Sequence, residues 1–168
     1  METNYNINPE NNCLIVLVGL PRSGKSTFRK SLTTQFGWPT ICPDDFRYLI
    51  HGAAFKPEFE KKVWETVHLT IKELFLTGSK NVILDATNIS LSDRNQFKNP
   101  ELYLRRIYYF TTPKNICIQR AKDTNQEYLI PIIEKMSLKY VIPDLTELSN
   151  GEVIYHVDSD NHLNLIQE

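Results

Sequence analysis

Gly19-Leu-Pro-Arg-Ser-Gly-Lys25-Ser26 follows the pattern G-x-x-x-x-G-K-[ST]. A glycine-containing loop can curl so that successive backbone N–H groups converge on one anion. The lysine then reaches the outer phosphates of a nucleoside triphosphate, and the hydroxyl beside it can hold Mg²⁺. The candidate nucleotide-binding residues are therefore Gly19, Pro21, Arg22, Ser23, Gly24, Lys25, Ser26 and Thr27, with Ser26 as a metal ligand. The same pattern can arise by chance in any strand–turn–helix. Here an apolar run precedes it and a helical periodicity follows it, which is the context that ATP or GTP binding requires.

Further groups could act on an acceptor. Asp44-Asp45-Phe46-Arg47 places Asp44 and Arg47 on one helical face. A carboxylate there can take a proton from an attacking hydroxyl, and the guanidinium can clamp a phosphate. Acidic residues also favour a helix start through the dipole alone, so spacing leaves both readings open. Asp85-Ala-Thr-Asn88 ends an apolar run. A carboxylate at that place can order Mg²⁺ or hold an acceptor, whereas the plain alternative is an Asx turn. Arg120 and Lys122 precede the polar segment Asp123-Thr-Asn-Gln-Glu127. Either cation could close over a transferring phosphoryl group, or simply complement a helix C-terminus. His68 reads as an ordinary helix residue, and Arg105-Arg106 as the exposed start of a strand without a function.

The elements that must position these groups alternate. Apolar runs predict strands at Cys13–Val18, Asn81–Asp85, Leu102–Phe110 and Glu152–Val157, with a short extended piece at Pro39–Cys42. Helical spacing predicts Ser26–Phe36 with Phe28, Leu32 and Phe36 in its stripe, then Pro43–His51 with Phe46, Leu49 and Ile50 inward. It also predicts Pro57–Thr77, Ser90–Phe97, Thr112 to about Ala121, and Ile130–Lys139. Strand and helix in turn give an α/β fold, a three-layer parallel sheet flanked by helices.

Composition narrows the function classes. The 168 residues, 41% of them hydrophobic and 23% charged, suit one globular domain, here residues 13–168 behind a loose polar tail at 1–12. Lys and Arg number 19 against 20 Asp and Glu, so a protein coating long stretches of nucleic acid is excluded and only a local basic pocket is left for it. No run approaches the ~20 apolar residues of a membrane span, and no signal peptide is evident. Cys13, Cys42 and Cys117 show no zinc spacing and read as reduced thiols of a cytoplasmic protein. There is no Asn-Lys-x-Asp motif for a signalling GTPase and no Asp-Glu pair after Leu84, so a small phosphotransferase fits the length.

Taken together, Gly19–Thr27, Pro43-Asp-Asp-Phe-Arg47 and Asp85-Ala-Thr-Asn88 resemble the P-loop kinases of the bacteriophage polynucleotide kinase type. The segment from Arg120 through Pro131 to Met136 is similar to that family's lid. The resemblance implies a five-stranded parallel sheet in the order 2-3-1-4-5 and transfer of the γ-phosphate of ATP to a 5′-hydroxyl of DNA or RNA, with Mg²⁺. It implies catalytic roles for Lys25, Asp44 as general base, Arg47 on the acceptor phosphate, Asp85 on acceptor or metal, and Arg120 in the lid. A second lid arginine is often found four residues after the first in that family; the position here is Thr124. Two other readings remain at this level: a kinase of the same fold acting on a nucleoside, sugar or antibiotic, and a nucleotide-binding module or ATPase that transfers nothing.

Overall fold

The computed structural model describes residues 11–158 and 162–167. The expected N-terminal tail lies largely outside the described residues. The chain runs β1 (Cys13–Val18), α1 (Lys25–Phe36), β2 (Thr40–Ile41), α2 (Pro43–His51), α3 (Glu60–Leu76), β3 (Asn81–Leu84), α4 (Leu91–Asn95), β4 (Leu104–Phe110), α5 (Lys114–Asp123), α6 (Ile130–Ser137), β5 (Val153–Val157) and β6 (Leu163–Gln167). Single 3₁₀ turns at Pro57–Phe59, Glu127–Leu129 and Leu145–Glu147 fill three of the connections.

The sheet has six strands in the order β2-β3-β1-β4-β5-β6. The first five pair in parallel, as the resemblance implied. The expected five-stranded sheet is extended by β6, which lies antiparallel on β5. Its sequence, Leu163-Asn-Leu-Ile-Gln167, carries only a weak apolar signal because an edge strand has one covered side. Leu165 is 52% exposed there.

Every residue of β1 is buried, as expected of a strand covered on both faces. Its alternate residues serve two cores. Leu14, Val16 and Val18 pack with Val67, Ile71 and Phe75 of α3, while Cys13, Ile15 and Leu17 pack with Phe28 and Leu32 of α1. Each such aliphatic side chain removed from water contributes roughly 1.5–3 kcal/mol. A third small cluster, Leu20, Cys117, Ala121 and Ile133, joins the loop after β1 to α5 and α6.

Two inward expectations and one outward one change. Leu49 is 81% exposed because α2 turns Phe46, not Leu49, toward the core. Phe36, at the last turn of α1, is half out of the core and stacks on Trp38 at 4.4 Å. Arg105, expected at an exposed strand start, is wholly buried. Its guanidinium is matched by Glu152 at 2.7 Å through both Nε and Nη2, and Nη1 donates to the Arg94 carbonyl at 2.9 Å. A second buried pair, Arg94 with Glu147 at 2.7 and 2.8 Å, lies beside it. Among the described residues no helix is long and apolar enough to cross a membrane.

Candidate functional site

The loop after β1 sits at the carboxyl ends of the parallel strands, where open α/β sheets bind ligands. Its lower rim is nailed to the sheet. Gly19 N donates to Thr87 O at 2.9 Å, Asn88 Nδ2 to Leu17 O at 2.8 Å, and Thr112 Oγ1 to Ser23 O at 2.7 Å. The Thr87 carbonyl and the Asn88 side chain thus brace the loop. Gly19 is required by close approach: a Cβ there would lie 2.8 Å from Ser23 Oγ and 3.0 Å from Phe110 Cβ. The loop feeds directly into α1, whose first N–H groups and dipole face the same space.

Lys25 is buried and arches back over the loop. Its Nζ donates to Gly19 O at 2.8 Å and Leu20 O at 2.7 Å. Burial pushes its pKa down to about 8, although the Asp85 carboxylate pulls the other way. Asp85 follows β3 and is 8% exposed. Ser26 Oγ donates to Asp85 Oδ2 at 3.2 Å, and Arg29 Nε pairs with the same oxygen at 3.2 Å. Burial raises the Asp85 pKa, against the pull of Lys25, Arg29 and Ser26. Ser26 and Asp85, the two expected metal ligands, are therefore brought together. One hydroxyl and one carboxylate beside a triphosphate site suit Mg²⁺, which keeps several waters and takes substrate phosphate oxygens rather than an all-protein cage. Among the described residues there is no cluster of three or more His, Cys, Asp or Glu that could hold a metal alone.

Asp44 and Arg47 stand together on the first turns of α2, which Pro43 opens. Arg47 Nη1 donates to Asp44 Oδ1 at 2.7 Å. The other edge of Arg47 is taken by Glu60, with Nε to Oε1 at 2.8 Å and Nη2 to Oε2 at 2.7 Å. The guanidinium also lies 6.0 Å from the Trp64 ring centre. Glu60 raises the Arg47 pKa, and Arg47 holds that of Glu60 below the usual carboxylate range. A guanidinium has five N–H groups. These three bonds leave it two, enough for one phosphate oxygen pair. Asp44 itself is open, with 70% of its side chain exposed.

Arg120 closes the arrangement from α5. Its Nη1 donates to Arg22 O at 3.2 Å, while Arg22 donates to Arg120 O at 3.3 Å and to Gln126 Oε1 at 3.1 Å. Arg22 holds a left-handed φ of 69°, which costs a non-glycine residue roughly 1–2 kcal/mol. Pro21 is half-buried in the loop, Thr27 is exposed on the first turn of α1, and Lys122 is exposed.

Two partners escaped the sequence reading. Glu60 sits on the next helix, 13 residues from Arg47. Arg29 lies one turn beyond Lys25 on α1, and that i, i+4 spacing from the loop lysine is the signal that could have found it.

The titration of Lys25 gives a testable consequence. A lysine that has lost its proton near pH 8 in the nucleotide-free protein must take one up to grip phosphate above that value. ATP affinity is expected to hold up to about pH 8 and then to fall toward about tenfold per pH unit. The stability of the nucleotide-free protein moves oppositely. Between about 8 and the usual 10.5 the unfolded chain holds the proton that the fold has released, so this group's penalty fades as pH rises. Calorimetric titration with ATP across that range checks it, and a flat profile would refute the placement of Lys25 on phosphate.

Comparison with known proteins adds the following. A family model described as "AAA domain" matches residues 14–129. The L-seryl-tRNA(Sec) kinase of Methanococcus maripaludis is 29% identical over 138 residues, which cover 77% of this chain and 53% of that one. A chain of the Pnkp1/Rnl/Hen1 complex superposes with a TM-score of 0.61 at 30% identity, over 68% of this chain and 40% of that one. A second structure of that assembly, described as an RNA repair complex, gives 0.60 at 26% identity, over 79% and 48%. A putative kinase from Chloroflexus aurantiacus gives 0.63 at 17% identity over 89% and 86%, a likeness of fold alone. The chain thus spans about half the length of the curated relative it matches.

Proposed function

This chain belongs to the AAA domain family, whose model takes in residues 14–129, and from that premise we propose that it moves the γ-phosphate of ATP to the 5′-hydroxyl of an RNA or DNA end. At the coarser level it is a P-loop kinase-type domain. The transferring unit in this reading is residues 13–168 as one domain. The observation that carries the choice of transfer over mere binding is the Asp44–Arg47–Glu60 arrangement. A nucleotide switch or plain ATPase has no use for an open carboxylate beside a half-spent guanidinium.

In the proposed reaction the loop N–H groups, the α1 N-terminus and Lys25 hold the β- and γ-phosphates. When bound, Mg²⁺ would be held by Ser26, with Asp85 beside it, and would neutralise charge between those phosphates. Asp44 accepts the proton of the acceptor hydroxyl as its oxygen bonds to the γ-phosphorus and the bond to the leaving ADP oxygen breaks. Arg47 spends its two remaining N–H groups on the acceptor's neighbouring phosphate. Arg120 faces the developing charge on the transferring group. Most of the rate then comes from positioning and electrostatics.

A polynucleotide acceptor is supported by two relatives whose names tie them to RNA, a seryl-tRNA kinase and an RNA repair complex. The near-balanced charge suits gripping one chain end rather than tracking a duplex. The free thiols of Cys13, Cys42 and Cys117 are in keeping with a cytoplasmic setting.

The test is transfer of labelled γ-phosphate to 5′-hydroxyl RNA and DNA oligonucleotides. Label on the oligonucleotide is expected, with a KM for it that rises with salt because several phosphates are held. Intact ATP binding with no label on either acceptor would overturn the polynucleotide reading. Label on a neutral nucleoside or sugar at a salt-independent KM would give the reaction to a small-molecule kinase.

A further inference from the structure

We infer that Arg22 is a positioning residue that holds the Arg120 guanidinium at the rim of the phosphate loop, so that the two arginines act as one latch on the terminal phosphate of the nucleotide. The inference rests on the kinase reading above and adds to it a residue that works through another.

The contact between them is reciprocal. Arg22 donates to the carbonyl of Arg120 at 3.3 Å, and Arg120 donates to the carbonyl of Arg22 at 3.2 Å. Arg22 also reaches Gln126 Oε1 at 3.1 Å, beyond the end of α5. All three acceptors are neutral. Among the described residues no carboxylate forms an ion pair with either arginine. Arg22 Nε is buried and has no hydrogen-bond partner. Two half-buried cations drawn together without a counter-charge make a poor stability device, since each loses hydration for no ionic return. The backbone of Arg22 is also held in the left-handed region at that junction, and such outliers concentrate where a site is being shaped.

A terminal phosphate supplies the missing charge. Because Arg22 grips the backbone of Arg120 rather than its side chain, it fixes where that side chain starts and leaves its guanidinium free to exchange the Arg22 carbonyl for a phosphate oxygen. Leu20, Cys117, Ala121 and Ile133 pack α5 and α6 against the same loop, so Arg120 and the loop share one small core.

The experiment measures ATP and ADP affinity for the intact protein and for Arg22→Gly, Arg22→Lys, Arg120→Ala and the Arg22→Gly/Arg120→Ala double variant. Glycine suits a φ of 69° and so removes the side chain without straining the loop. The melting temperature of each variant without nucleotide reports that it is folded. The native protein is expected to favour ATP, and Arg22→Gly to lose about tenfold in ATP affinity with that for ADP retained. Arg120→Ala should lose a similar factor and the double variant no more than Arg120→Ala alone. Arg22→Lys, with a point charge in place of the fork, should recover part of the loss. Losses that multiply in the double variant, or an equal weakening of ATP and ADP in Arg22→Gly, would overturn the latch. The readout needs no acceptor, so a native protein that labels no oligonucleotide would remove the polynucleotide reading and leave this result standing.

Discussion

Asp44→Asn is expected to slow phosphoryl transfer by about 10²–10⁴-fold while ATP binds as before. The substitution keeps the shape and can keep the bond from Arg47 Nη1, because the amide oxygen can stand where Oδ1 now accepts at 2.7 Å. What is lost is the second oxygen, the one free to take the hydroxyl proton. The 70% exposure of this side chain leaves it open to an incoming acceptor, while Arg47 beneath it is fixed by Glu60 and cannot swing to fill the gap. Lys25→Ala makes the contrast. It removes the ammonium that the proposed reaction places on phosphate and should abolish transfer through loss of ATP affinity. Single-turnover rates at saturating ATP separate the two. Should the Asn variant transfer at the native rate, Asp44 would hold no proton in the reaction and positioning by the loop and Arg47 would carry it all.

The site was legible in the sequence where its chemistry is local. The loop Gly19–Thr27 needs one continuous backbone path, so its pattern is written in consecutive letters. Asp44 and Arg47 share one helical turn, and the structure places them in direct contact. Asp85 was legible as a charge ending an apolar strand, and it meets Ser26 at 3.2 Å. What stayed hidden is every partner that tertiary folding delivers from afar. Glu60 reaches Arg47 only because α3 packs on α2, and Arg29 reaches Asp85 only because β1 and β3 are neighbours in the sheet. The fold divides the same way. Five strands announce themselves through apolar runs or position, whereas β6 forms at an edge where half of each strand stays wet and the pattern fades. Arg105-Arg106 shows why a charge in a strand cannot be read alone. Two arginines in sequence look like solvent-facing residues, and nothing within ten positions reveals that Glu152 will be carried to Arg105 by the parallel pairing of β5 with β4.

That buried pair leads to the second large effect, on stability rather than rate. Arg105→Ala and Glu152→Ala are each expected to destabilise the fold by about 3–5 kcal/mol, because either change strands the opposite charge in a dry interior. For a domain of this size that is a drop of roughly 6–20 °C in melting temperature. Arg105 makes the pair unusually unforgiving. Its side chain also holds the carbonyls of Arg94 at 2.9 Å and Glu147 at 2.8 Å, so removing it orphans backbone groups as well as the carboxylate. Glu152 in turn accepts from Ser149 N at 2.7 Å, which shapes the turn into β5. The network continues to the carboxyl end of β1. Arg94 donates to the carbonyl of Asn88 at 3.1 Å, and Asn88 holds Leu17 just ahead of the phosphate loop. Replacing Arg105 and Glu152 together by apolar residues of similar volume should cost less than the two single changes added, since no lone charge is left inside. Denaturant unfolding of the two single variants and the double decides it. Single variants as stable as the native protein would mean that water reaches the pair and that the bracing of the loop lies elsewhere.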